Sequence, residues 1–257
     1  MIRVGCCGWP VSQSRYQEIL SCVEIASSFE QPPQLATAKR WRETAPEEFA
    51  FSIRAPRLIT HTAASPTYER RPARLGSRAL LRCGHFKPTD EVAQAWEQMA
   101  SVVRVLQAKF VVFQTPASFY ANADHLRDLY RFFKTVRREG ARFVWEPRGE
   151  SWRPEMIRRV CRDLELIHAV DPMVAEPQAG AALYFRLHGR HAGGKIDFAH
   201  GYTDAELRHL IERCGGRSAY VFFNNAPMWQ DARRFEALVH PEAARLRTSH
   251  VRHLRSL

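Results

Sequence analysis

Seven residues with the means to do chemistry stand near the ends of short apolar runs in this 257-residue sequence: Glu24, Arg54, Glu146, Arg148, Asp171, Arg186 and His188. A guanidinium is a planar fork that grips carboxylate or phosphate oxygens two at a time. Arg54, Arg148 and Arg186 therefore suit an oxyanion. Glu146 or His188 would act as general base or acid, and Glu24 would orient or stabilise. Gln114 and Asn224 close two further runs and would add hydrogen bonds. Trp152, just after one of the runs, offers a face for stacking. The chemistry these types support best is hydrolysis or elimination on an anionic substrate, with phosphate or phosphodiester favoured.

Other readings of the same residues stay open. Glu24, Glu146, Asp171 and His188 are oxygen and nitrogen ligands suited to Mn, Mg or Zn. No H-E-x-x-H or similar spacing accompanies them, and three arginines nearby would repel a cation, so no cofactor is expected. Cys83-Gly84-His85 offers two more ligand types but no third. Glu24 and Glu146 would also serve as the carboxylate pair of a glycosidase, on an acidic sugar given the arginines. A non-enzymatic nucleic-acid binder is the alternative from a different class. Its phosphate contacts would come from the Arg57–Lys87 segment, with seven Arg/Lys against one acid, and from the tail from Arg245 on, with four arginines and no acid. The expected partner is thus an anionic small molecule or a nucleic acid, and not a membrane.

The elements that must position these groups follow from periodicity. Strand patterns run over Ile2–Trp9, Cys22–Phe29, Phe49–Ala55, Phe110–Thr115, Arg142–Arg148, Leu166–Asp171, Ala182–His188 and Ala219–Asn225. Helical patterns lie between most of them: Leu35–Thr44, Asp90–Gln107, Asp124–Glu139, Pro154–Asp163, Asp204–Cys214 and Trp229–Val239, with a short crossover around Ser12–Leu20. Thr203 and Glu206 form a T-x-x-E capping box, and Pro154 suits a first helical turn. Strict alternation implies parallel strands with right-handed crossovers. Eight such units in one chain of this length predict a (β/α)8 barrel of the TIM type. An open doubly wound sheet would show G-x-G-x-x-G after its first strand, where this chain has Val4-Gly5-Cys6-Cys7-Gly8-Trp9.

Side chains alternate along a strand, so residues two apart share a face. Tyr184, Arg186 and His188 share one face of their strand, and Leu183, Phe185 and Leu187 the other. Glu146 and Arg148 oppose Phe143 and Trp145; Glu24 opposes Val23 and Ile25; Ser52 and Arg54 oppose Phe51 and Ile53. With the apolar rows turned to the helices, the polar rows are expected to meet at the C-terminal mouth of the barrel, where such folds keep their chemistry. The basic, glycine-rich stretch Gly189–Lys195 is expected there as a phosphate-binding loop.

Composition sets the outer bounds. Hydrophobic residues make up 45 % and charged residues 25 %, which excludes disorder and collagen-like repeats. No stretch approaches the roughly 18 apolar residues of a membrane span. The start lacks a signal-peptide pattern, so a cytoplasmic location is expected. Basic residues number 38 against 27 acidic, for a net charge of +11, and only five of the 38 are lysines. The six cysteines contain no C-x-x-C pair, which suggests reduced thiols. With no repeat or linker, a single domain over 1–257 is expected, carrying a basic tail from about 245.

The strand ends also resemble the YecE-like family, domain of unknown function seventy-two. Its V-G-T-S-G-W is similar to Val4–Trp9, and its V-E-I-N-S-T-F-Y to Val23–Glu30. Its F-x-F-S-V-K-A-P-R is similar to Phe49–Arg57, followed by Thr60-His61 for T-H. Its Q-x-P-x-S-F appears as Gln114–Phe119, its V-E-F-R-H-P-S-W as Trp145–Trp152, its Y-x-R-x-H-G-R as Tyr184–Arg190 and its Y-x-F-F-N-N as Tyr220–Asn225. The resemblance implies a (β/α)8 barrel and brings no activity with it. Arg54 stands where the family usually has lysine, which argues against a Schiff base there. Cys6-Cys7 replaces T-S, and Glu30 replaces Tyr.

Overall fold

A computed structural model describes residues 1–70 and 75–242, without the side chain of Arg70. The basic tail from about 245 lies outside the described residues. Among the described residues there are ten strands: β1 Ile2–Cys6, β2 Cys22–Ile25, β3 Ala50–Arg54, β4 Phe110–Gln114, β5 Arg142–Glu146, β6 Ile167–Val170, β7 Leu183–Leu187, β8 Arg190–Ala192, β9 Lys195–Asp197 and β10 Ala219–Phe223. The helices are α1 Gln13–Gln17, α2 Leu35–Thr44, α3 Arg57–Thr60, α4 Pro66–Arg70, α5 Ser77–Leu80, α6 Asp90–Leu106, α7 Ala123–Thr135, α8 Pro154–Asp163, α9 Asp204–Cys214 and α10 Met228–Val239. Eight strands form one sheet in the order β1-β10-β7-β6-β5-β4-β3-β2. The architecture is the (β/α)8 TIM-type barrel.

All eight expected strands are present, and each stops earlier than the sequence pattern suggests. The first ends at Cys6 rather than Trp9. The second ends at Ile25, and Ala26–Phe29 is a 3-10 turn. Past the first strand Cys7 is buried, and past the second Ser28 and Phe29 are buried, so each turn carries inward positions beyond the last strand residue. The helix expected to reach Glu139 stops at Thr135, and the first crossover shrinks to Gln13–Gln17.

Local signals explain the helices that match. Thr203 accepts from the Glu206 backbone N–H at 3.2 Å, and the Glu206 carboxylate accepts from the Thr203 backbone N–H at 2.7 Å, completing the capping box. Thr89 caps α6, whose buried Val92, Trp96, Met99, Val103 and Leu106 recur at helical spacing. Pro154 opens α8.

By internal contacts the described chain falls into two compact units. One comprises Met1–Val23, Val170–Glu176 and the residues from Ala182 onward; the other comprises Glu24–Ala169 and Pro177–Ala181. In the first, β1 pairs with β10 and β10 with β7, all parallel. The start of β2 comes against β1 without a ladder. Instead the Tyr16 hydroxyl accepts from the Cys6 backbone N–H at 2.6 Å and donates to the Cys22 carbonyl at 2.8 Å. One side-chain oxygen thus satisfies a donor and an acceptor that a regular ladder would have paired. Tyr16 is held by Trp9, edge-on at 4.9 Å, and by Trp229, stacked at 5.8 Å.

In the second unit β3, β4 and β5 are parallel neighbours, and β5 pairs with β6. Its outer layer is an aromatic cluster of Phe86, Trp96, Phe113, Phe132, Phe133 and Phe143. Gly84, His85 and Phe86 all have positive φ, a costly run for two bulky side chains. The turn drives Phe86 into that cluster, where it is 1 % exposed. The described residues of the segment Arg57–Lys87 carry three short helices, and part of its basic character is spent internally. Arg57 is buried, stacks over Tyr68 at 4.3 Å and donates to the Thr67 carbonyl. Arg82 pairs with Glu91 at 2.8 Å.

All six cysteines are buried and free. Burial pushes the Cys6 and Cys161 thiols up to about 12, so neither is a nucleophile in the folded protein.

Candidate functional site

In the second unit the expected groups form a continuous row along three strand ends. Arg54, Gln114 and Glu146 are the last residues of β3, β4 and β5. Gln114 and Glu146 are register partners. The Arg54 guanidinium donates to the Gln114 side-chain oxygen, and Arg148 forms an ion pair with the Glu146 carboxylate. Parallel register places the final residues of adjacent strands side by side, which is why groups up to 94 positions apart in sequence come together.

The row is graded in exposure. Glu146 is 4 % exposed, while Arg54, Gln114 and the Arg148 side chain are half-buried. Arg54 is braced from below, its guanidinium 3.6 Å from the centre of the Phe29 ring, and its backbone carbonyl accepts from Ser28 at 2.7 Å. A cation over an aromatic face is held in place without losing its charge. Glu24, in β2, is fully buried. Nearby His61 is pushed down to about 3, by burial first and then by the Arg54 charge, so it stays neutral and bonds to Thr60 at 2.8 Å.

Trp152 is placed differently from expectation. It is buried, its indole N–H donates to the Phe119 carbonyl at 2.6 Å, and its ring stacks on Phe119 and meets Trp145 edge-on. Its faces are engaged by protein, so it braces the loop after β4. Among the described residues Cys83 and His85 gather no third ligand. The Cys83 thiol bonds to the Ala79 carbonyl, and His85 lies against His125 and Ser118.

In the first unit Arg186 is buried within β7, with Nη2 3.9 Å from the Cys7 sulfur. Asn224 directly follows β10, and its backbone N–H donates to the Leu187 carbonyl at 2.7 Å. Its neighbour Asn225 is structural, donating to the Asp231 carboxylate at 2.7 Å and to the His200 carbonyl at 2.8 Å. His188 and Asp171 stand together, the Asp171 carboxylate accepting from the His188 backbone N–H at 3.2 Å.

The stretch Gly189–Lys195, expected as a phosphate-binding loop, is a hairpin. Strands β8 and β9 pair antiparallel, with Ala192 opposite Lys195. Gly193 and Gly194 between them have φ of 57° and 75°, the two-residue turn that needs positive φ twice. The correction has a local cause: a Gly-Gly pair flanked by three-residue extended segments is a hairpin signal. The hairpin carries His191 to the Asp171 carboxylate at 3.2 Å, a neighbour that the strand-face reasoning did not identify.

His168, in β6, makes a measurable prediction. Its Nδ1 accepts from the Gln178 backbone N–H at 3.1 Å, which requires a neutral ring. Burial pushes it down to about 4, only partly opposed by the Glu146 carboxylate. The folded value lies below the unfolded 6.5, so this stability is complete above about pH 6.5. It is lost as pH falls toward 4, where the total reaches about 3 kcal/mol. In urea unfolding at pH 7.5 and 4.5, His168→Asn keeps an acceptor for Gln178 and is expected to lose about 2–3 kcal/mol less than the parent. Equal losses in both proteins would assign the acid sensitivity elsewhere.

Among the described residues no helix is long and apolar enough to cross a membrane. No curated protein matches the sequence. Solved structures do. A DUF72 family protein from Thermotoga maritima is 18 % identical over 93 % of this chain and 99 % of its own, with a TM-score of 0.67. Another from Enterococcus faecalis is 17 % identical over 93 % and 97 %, with a TM-score of 0.66. SacUVDE is 7 % identical over 94 % and 99 %, with a TM-score of 0.61. At these identities the likeness carries the fold alone. The model of the family described as "Protein of unknown function DUF72" matches residues 3–253, and with the strand-end motifs in order along that span, the chain belongs to the DUF72, or YecE-like, family.

Proposed function

We propose that this protein is an enzyme acting on an anionic substrate of the phosphate or phosphodiester class, at the C-terminal ends of β3, β4 and β5. The observation that carries the reading is the row Arg54–Gln114–Glu146–Arg148, with a buried carboxylate behind two half-buried guanidinium groups. Side chains spent only on stability would not need the cations at the water-facing edge. An oxyanion entering there meets two forks of matching geometry. Gln114 fixes the angle of Arg54. Glu146, ion-paired with Arg148, takes the role of a base, drawing a proton from a water or hydroxyl at the bound anion. Glu24, buried in β2, would orient or stabilise.

The test uses the full chain with bis(4-nitrophenyl) phosphate and a single-stranded oligonucleotide as probes, with and without added Mn2+. Glu146→Gln is expected to lower turnover by roughly 100-fold or more while oligonucleotide binding persists. Arg54→Ala is expected to raise KM. If instead Glu146→Gln and Arg148→Ala leave oligonucleotide binding intact, no variant or parent turns over the diester, and neutralising Arg245, Arg247, Arg252 and Arg255 abolishes binding, the protein is a nucleic-acid binder and the enzyme reading fails.

A further inference from the structure

We infer that Asp171, His188 and His191 form a binding site for one divalent transition-metal ion of the Zn2+ class. One ligand atom from each residue lies within 4.8 Å of the other two. The Asp171 Oδ2 atom is 3.2 Å from His191 Nε2 and 3.7 Å from His188 Nδ1. A metal about 2.0–2.2 Å from each ligand requires ligand atoms roughly 3.0–3.6 Å apart. Two separations are therefore already near the bound geometry, and closing the third, which is no more than 4.8 Å, needs a movement of at most roughly 1–2 Å.

The residues differ in freedom in the way that closure requires. Asp171 and His188 have side chains only 3 % and 5 % exposed. The carboxylate is oriented by two backbone donors, Met173 N–H on Oδ1 at 3.0 Å and His188 N–H on Oδ2 at 3.2 Å. Such outer partners fix the first ligand of a metal site. His191 is 24 % exposed on the hairpin, so it can swing and leaves a path for the ion. The hairpin stem itself is pinned. A Cβ on Gly189 would lie 2.1 Å from the Asp197 carbonyl oxygen, so only glycine permits the crossing. The Tyr202 hydroxyl accepts from the Gly189 N–H at 2.9 Å and donates to its carbonyl at 3.2 Å.

Ligand chemistry selects the ion. Two imidazoles and one carboxylate favour Zn2+, Co2+, Fe2+, Mn2+ or Ni2+ over Ca2+ and Mg2+, which take mainly oxygen. Three protein ligands leave at least one position open, the arrangement of a catalytic rather than a structural centre. With the ion bound, His188 is a ligand, and the acid–base role falls to Glu146 alone. The inference stands on binding and is independent of whether the substrate is a phosphodiester.

The experiment is a titration of the chelator-stripped full chain with Co2+, followed by visible absorption and by calorimetry, with no substrate present. One equivalent is expected to bind, with an absorption band that Zn2+ abolishes and excess Mg2+ does not. His191→Ala, on the solvent side of the hairpin, is expected to fold as the parent and weaken binding by more than roughly 100-fold, beyond the loss of a second-sphere partner. His188→Ala is expected to do the same. His209→Ala, at an exposed histidine paired with Glu212, is expected to change nothing. Absence of saturable Co2+ binding would overturn the inference. So would binding of parental strength in a folded His191→Ala protein whose thermal transition matches the parent.

Discussion

Gly5→Ala is expected to destabilise the protein by about 3 kcal/mol or more, the upper end for an overpacked position. A Cβ at residue 5 would lie 2.3 Å from the Cys22 carbonyl oxygen, 2.8 Å from its carbonyl carbon and 3.0 Å from its sulfur. The first two are backbone atoms, so no rotamer change relieves the clash. Movement of either strand also breaks something else. Gly5 is in register with Phe222 of β10, and Cys22 receives the Tyr16 hydroxyl that also serves Cys6. Pushing the strands apart leaves a buried N–H and a buried carbonyl unsatisfied, each costly. Gly76→Ala is the matched control: φ there is −61° and nothing lies within 4 Å of the new methyl group. It is expected to stay within about 0.5 kcal/mol of the parent. Urea unfolding of both variants checks the pair, and a Gly5→Ala protein as stable as Gly76→Ala would show that β1 and β2 separate freely.

The second large effect is an asymmetry between the partners of one ion pair. Glu146 is 4 % exposed, whereas the Arg148 side chain is 30 % exposed. Arg148→Ala removes the ion pair from a buried carboxylate and is expected to cost about 2–3 kcal/mol, below the 3–5 kcal/mol of a fully buried pair because water reaches the arginine. Glu146→Gln leaves a guanidinium that can turn to solvent, and is expected to cost less than about 1 kcal/mol. The double variant is expected to recover most of the Arg148→Ala loss, since no buried charge remains. A double-mutant cycle in urea measures the coupling. Equal losses from the two single changes, with simple additivity, would mean that the pair is not the determinant of Glu146 burial. The low expected cost of Glu146→Gln is also what makes it a clean probe of turnover.

The order of elements was legible without the structure, because burial writes a period of two or 3.6 into each segment and turn residues interrupt it. Eight strands and the main helices of the barrel were legible, as were the capping box at Thr203 and Glu206 and the opening proline of α8. Strand-face alternation also identified the members of the row Arg54, Gln114, Glu146 and Arg148. It could not pair them. Which strands are neighbours, and at what register, depends on contacts between residues far apart in the chain, and only tertiary packing sets Gln114 against Glu146 and Arg54 against Gln114. Strand ends were overextended because apolar side chains past Cys6 and Ile25 are buried by turns rather than by pairing, and composition does not separate the two. The use of Trp152 was equally hidden, since an indole that braces a loop and one that receives a ligand have the same sequence. His191 shows the limit most clearly. Its hairpin had a local signature in Gly193-Gly194, but its placement beside Asp171 follows from the crossing of Gly189 by the Asp197 carbonyl and from the Tyr202 hydroxyl that pins the stem. These are long-range contacts that no local pattern encodes.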